Sequence, residues 1–130
     1  MTESTQYRLD KSAGCLKDSK FLLESGSFDG SINRSYYAMF TIIRALLAEE
    51  DIDFSKHSAV IGYFRREYIK TGVFDKKFSD YIGKAFILRN DCDYRDFVFI
   101  SREEAETQYN HAVEFFETIK NYLENFKNDQ

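Results

Sequence analysis

Not one of the 130 residues is a proline. Proline locks φ and carries no N–H, so helix interiors exclude it, whereas sheet edges and turns collect it. Its absence from a chain this long points to an all-α fold. The length suits one compact domain, residues 1–130, able to bury a core without disulfides or a structural metal. Apolar material is ample, with 13 Phe and 9 Tyr, and this excludes a disordered chain. No run reaches the roughly 18–20 apolar residues of a membrane span. Met1–Gln6 lacks the basic and apolar blocks of a signal peptide. These features predict a cytoplasmic protein with no membrane contact. Cys15 and Cys92 stand far apart with no CxxC partner, which predicts two reduced thiols rather than a zinc or redox motif.

Helical periodicity covers most of the chain. Leu9, Ala13, Leu16, Lys20 and Leu23 form a first stripe, closed near Ser25-Gly26. Asp29 is placed to cap a second helix, with Ile32, Tyr36, Phe40, Ile43 and Leu47 inward. After an acidic loop at 49–53, Ser55 can cap a third, facing inward with His57, Val60, Ile61, Phe64 and Tyr68 and ending at Thr71-Gly72. Asp75 can cap a fourth, carrying Phe78, Ile82, Ala85, Leu88 and Cys92. Ser101 and Glu104 make a capping box for the last, whose stripe runs Ala105, Tyr109, Ala112, Phe116, Ile119, Leu123, Phe126. The expectation is an antiparallel up-and-down bundle of about five helices, frayed at 1–5 and 127–130.

Charge is uneven. Residues 55–102 hold 10 basic and 6 acidic side chains in a chain of net charge −4. That middle third is the place to expect a basic face for a polyanion, or simply solvated helix surfaces.

Three places could carry chemistry. In Asn33-Arg34-Ser35-Tyr36-Tyr37-Ala38-Met39-Phe40, Tyr36 and Phe40 fall on the core stripe, with Asn33 and Tyr37 beside it. This is either a packed aromatic seam or part of a binding site. His57 opens the third helix on its apolar face, either as a hydrogen-bonding core residue or as a catalytic or ligand-binding one. The run 89–96 closes the fourth helix. There Arg89 and Asp93 are spaced i,i+4, and Tyr94 and Arg95 follow. The pattern reads as a charge network locking the helix end or as an arginine fork aimed at phosphate. No Walker loop, HExxH motif or metal-ligand set occurs, so neither a cofactor nor a metal is expected.

Taken in order, NRSYYAMF, KHSAVIGYFRREYIKTG, AFILRNDCDYRDF and SREEAE resemble the HEPN domain family, and most of all its small stand-alone prokaryotic branch. The resemblance runs from about Leu9 to Phe126. It implies a homodimeric helical bundle associated with nucleotides or RNA. It also implies a place in toxin–antitoxin or defence pairs, often beside a nucleotidyltransferase partner. Active members are metal-independent ribonucleases using an Arg followed, four to six residues on, by a His. Arg89 matches that Arg and Asn90 the polar residue after it, but the His would fall at Tyr94, Arg95 or Asp96. The sequence thus carries RNxxDY in place of the usual motif.

The residues nominated are Arg89, Asp93, Tyr94 and His57 for catalysis and Asn90, Asn33, Tyr37 and Arg95 for binding. The functions in play are a binding module of such a pair, a ribonuclease toxin with a divergent site, and a purely structural interaction bundle.

Overall fold

The computed structural model describes the backbone of residues 1–128 and side chains through residue 125; Phe126 and the expected frayed end at 127–130 fall outside the side chains described. The fold is an all-α bundle of five helices: α1 (Glu3–Glu24), α2 (Phe28–Glu49), α3 (His57–Phe64), α4 (Lys77–Tyr94) and α5 (Arg102–Asn128). Arg65–Ile69 continues α3 as one π-helical turn, closed by Lys70 N–H donating to the Arg65 carbonyl at 2.8 Å. Among the described residues there is no strand, and no helix is long and apolar enough to cross a membrane.

The centre is α2. Between Ser31 and Ala48, every residue is buried except Asn33, Arg34, Tyr37 and Arg44. A helix apolar nearly all round must be surrounded, and α1, α3, α4 and α5 all pack on this one. The four exceptions recur at helical spacing, so they mark one open seam along it.

α1 packs on α2 in a way the hydrophobic stripe does not predict. Thr5, Ser12 and Ser19, seven residues apart, are fully buried, while Ala13 and Lys20 face solvent. Ser12 Oγ donates to the Ala38 carbonyl at 2.7 Å. Ser19 Oγ donates to the Ser31 carbonyl at 3.0 Å and lies 2.7 Å from Ser35 Oγ. Thr5 Oγ1 donates to Glu49 at 2.7 Å. Small hydroxyl residues bring two helices close, and each hydroxyl spends its hydrogen bond on the partner helix. The N-terminal end of α1 shares in these contacts. Thr2 caps α1 by accepting from Thr5 N–H, and its own N–H donates to Glu49 at 3.1 Å.

The turn signals mostly hold. Gly26 and Gly72 take φ of +82°, the left-handed region glycine enters freely. Asp75 accepts from Lys77 N–H at 2.9 Å, and Glu104 N–H donates to Ser101 Oγ at 3.1 Å. Ser55, Asp29 and Asp75 do not stand at the N-cap position as expected: α3 starts after Lys56, α2 after Ser27 and α4 after Lys76, none of which caps with its side chain. On α5 the buried positions include Gln108 and Phe115, with Tyr109 half-buried. Both cysteines are free, Cys15 buried and Cys92 half-buried.

Candidate functional site

The residues that matter gather where the open seam of α2 meets the end of α4 and the start of α3. Arg89, on α4, keeps 15% of its side chain exposed and spreads its guanidinium over three partners. Nη2 donates to Tyr37 Oη at 2.9 Å, and Nη1 to Asn90 Oδ1 at 3.0 Å. Asp93 Oδ2 lies 2.9 Å from Nε. That last contact is an ion pair too poorly aligned to count as a hydrogen bond, which leaves the buried Nε without one. The cation also sits 5.6, 5.3 and 5.8 Å from the ring centres of Tyr36, Tyr37 and Tyr94.

His57 reaches the same pair of tyrosines from the other side. Its Nδ1 is 2.9 Å from Tyr36 Oη, and its ring stacks 4.0 Å from Phe40 and meets Tyr37 edge-on at 6.0 Å. Among the described residues, Nε2 has no hydrogen-bond partner. Burial lowers the His57 pKa below its ordinary 6.5, and the positive charges of Arg89 and Arg44 lower it further. The imidazole is therefore neutral at pH 7. Burial drives the Tyr36 phenol far above its ordinary pKa, against the pull of Arg89, so it stays protonated.

The loop ahead of His57 is fixed by Asp53. Its Oδ2 accepts from Arg44 at 2.9 Å and from Arg8 at 3.1 Å, and its Oδ1 from Phe54 N–H at 2.9 Å. Burial pushes the Asp53 carboxyl up, but the Arg44 hydrogen bond and charge, the Phe54 N–H and the Arg8 charge outweigh it and hold it below its ordinary value. A depression of about 310 Å³ opens between Phe40, Arg44, Asp53 and His57.

Of the nominated residues, Arg89, Asn90, Asp93, Tyr37 and His57 converge. Tyr94 joins at the rim, its side chain largely exposed. Asn33 is adjacent, with Oδ1 accepting from both Nε and Nη2 of Arg34 at 3.0 and 2.7 Å. Arg95 is not brought in. It lies just past the end of α4, 73% exposed, pairing with Asp91 at 3.7 Å. α4 ends at Tyr94, and Arg95 takes extended backbone, φ −112° and ψ 142°, which leads the chain away from the helix.

Sequence reasoning missed Arg34 and Arg44. Arg34 lies 5.1 Å from the centre of the Tyr37 ring, which thus meets two guanidinium groups. Their signal was present: both are cations within an otherwise buried helix. It also missed the exposed strap after α4. Phe97 is fully exposed at φ +61°, and Phe99 and Tyr94 are 85% and 76% exposed. A phenylalanine held in the left-handed region and left in water packs on nothing in its own chain.

The HEPN domain profile matches residues 5–122. The chain belongs to the HEPN domain family. A UPF0332 protein of Thermotoga maritima is 33% identical over 122 residues, 94% of this chain and 92% of that one. Two candidate toxins of Methanocaldococcus jannaschii are also similar. MJ0142 is 35% identical over 88% of this chain and 78% of its own, and MJ0605 is 29% identical over 93% and 90%. In this HEPN chain the family's bundle presents the α4 arginine and an α3 histidine to one tyrosine pair.

The neutral imidazoles give a pH prediction. His111, stacked 3.8 Å from Tyr81, is also lowered, by burial and Lys84 against the opposing charge of Glu114. A histidine whose folded pKa lies below its unfolded one binds more protons when unfolded. Stability is then full above about pH 6.5 and falls on acidification toward the folded pKa. The melting temperature of the wild type should fall from pH 7.5 to 5, and the double variant His57→Gln, His111→Gln should flatten that fall. Glu49, Asp53 and Glu114, all held low, add their losses only below the ordinary carboxylate range. A flat wild-type profile across pH 5–7.5 would contradict the neutral assignment.

Proposed function

We propose that this chain is the HEPN component of a toxin–antitoxin or defence-type pair and that it engages RNA through the Arg89 site. The observation that carries this is the convergence of Arg89 and His57 on Tyr36 and Tyr37, in a chain similar to candidate toxins. A guanidinium only half committed to carboxylate, set among phenol rings, suits a phosphate with a base stacked beside it. Tyr94, Phe97 and Phe99 offer the partner surface. The family resemblance supports either a second copy of this chain or a nucleotidyltransferase-type antitoxin there.

A second reading, metal-independent RNA cleavage, is favoured by the position of His57. With Nδ1–H donated to Tyr36 Oη, Nε2 keeps a lone pair able to accept a proton. It would take the proton of a ribose 2′-OH. The 2′-oxygen then bonds to phosphorus, the bond to the 5′-oxygen breaks, and the departing oxygen is protonated from water. Arg89 would stabilise the pentavalent phosphorane, and His57 replaces the histidine missing from the RNxxDY run.

The test is induced expression of the chain alone, followed by growth and total-RNA integrity, beside His57→Gln. Growth arrest with RNA cleavage, lowered about 10²-fold or more in the variant, supports cleavage. Arrest that survives in the variant with RNA intact supports binding alone. Absence of arrest by the wild type removes the toxin reading.

A further inference from the structure

Arg8, Lys11 and Arg44 take no part in the Arg89 network, and Arg34 meets it only at the Tyr37 ring. A second depression, of about 430 Å³, lies beside α1 between Tyr7, Arg8, Lys11, Thr41 and Arg44. Arg44 is the wall it shares with the His57 depression. Lys11 and Arg34 have no carboxylate partner among the described residues. Arg8 and Arg44 share one, Asp53, so a positive charge is left over; Glu3 at the rim is the opposing acid. Burial raises the Cys15 thiol, and Arg34 and Lys11 act on it against the acid Asp18, which places all three charged residues on the same side of the bundle. Tyr7 stands 68% exposed, a free ring face at the edge.

Four cations thus collect on one side of a segment, residues 1–54, that is net acidic. Asp53, Glu3 and Asp18 offset part of that charge, and the positive excess left over is one an anionic ligand would relieve. From Arg34 to Arg44 the seam runs ten residues, about 15 Å at 1.5 Å per residue. That is a track, not a point.

We infer that the seam of α2 between α1 and His57 is a groove for single-stranded RNA several nucleotides long, its phosphates on Arg44, Arg8 and Lys11 and a base on Tyr7. The inference rests on the reading of the Arg89 site as an RNA site and extends it from one phosphate to a strand.

The experiment is fluorescence anisotropy with a labelled eight-nucleotide polyuridine RNA, titrated over a salt series, using the full chain. Lys11→Glu, Tyr7→Ala and Arg89→Ala are compared, with circular dichroism to confirm each fold. Lys11 and Tyr7 are exposed, so their variants should fold normally. Lys11→Glu should weaken octamer binding about tenfold and lower the slope of log K against log salt by about 0.7 for the phosphate lost. Tyr7→Ala should weaken it about tenfold through lost stacking. Octamer affinity unchanged in both, but lost in Arg89→Ala, overturns the groove and leaves the Arg89 reading standing. Affinity lost in Lys11→Glu and Tyr7→Ala but not in Arg89→Ala supports the groove and overturns the Arg89 reading. No octamer binding by the wild type overturns both.

Discussion

Arg89→Ala should abolish growth arrest on induction and lower RNA binding or cleavage by about 10²-fold or more. Removing a single preorganised donor for developing phosphate charge has an effect of this order. The variant should also melt lower. Asp93 is left without its ion pair and Tyr37 Oη without its donor, but Asp93 is partly exposed and can turn to water. The loss is therefore about 1–2 kcal/mol, well short of what stranding a fully buried charge costs. Arg89→Lys separates the two roles. It keeps the charge but cannot reach Tyr37, Asn90 and a phosphate together, so it should regain most of the stability and little of the activity. If Arg89→Ala melts lower yet still arrests growth, the arginine only fastens the end of α4 and the bundle is an interaction scaffold.

Ser19→Leu should be the most damaging exchange in α1, costing about 2–5 kcal/mol in urea unfolding. The side chain is fully buried where α1 and α2 approach through Ser31 and Ser35. A larger residue overpacks that contact, at about 1–3 kcal/mol. It also deprives both partner hydroxyls of a neighbour, at about 1–2 kcal/mol more. Ser19→Ala removes the bonds without adding volume and should cost about 1–2 kcal/mol. Equal losses for the two variants would mean the helices can move apart freely, against the close approach described here. The Ser19 side chain bonds only to Ser31 and Ser35 and to none of Arg89, His57, Tyr36 and Tyr37, so Ser19→Ala should leave RNA binding unchanged. That separates bundle stability from site chemistry.

How much of this was legible beforehand varies from element to element. α3, α4 and α5 were readable because Val60, Phe64, Ile82 and Ile119 repeat at helical spacing and are buried as that spacing demands. α1 was misread in rotation, because Thr5, Ser12 and Ser19 face its partner and hydropathy scores such residues as neutral or polar. The cationic face was expected in the middle third, where basic residues outnumber acidic ones. There Arg66 pairs with Glu67 and Lys77 with Glu114, while Lys56, Lys70, Lys76 and Lys84 have no carboxylate partner among the described residues. A second group of cations, Arg8, Lys11, Arg34 and Arg44, gathers in the acidic first third, where the charge of the segment gave no sign of it.

Sequence by itself determined that this chain is helical and that Arg89 and His57 were worth naming. Proline's absence, the spacing of apolar residues and a paired Arg-Asp at i,i+4 are local facts, written along one strand of chain. Whether His57 and Arg89 ever meet depends on how α3 and α4 pack against α2, through Tyr36 and Tyr37. That is a matter of three-dimensional contact between residues 32 positions apart. Charge neutralisation likewise depends on which side chains touch, not on how many of each sign a segment holds, so only the tertiary structure could decide where the free cations stand.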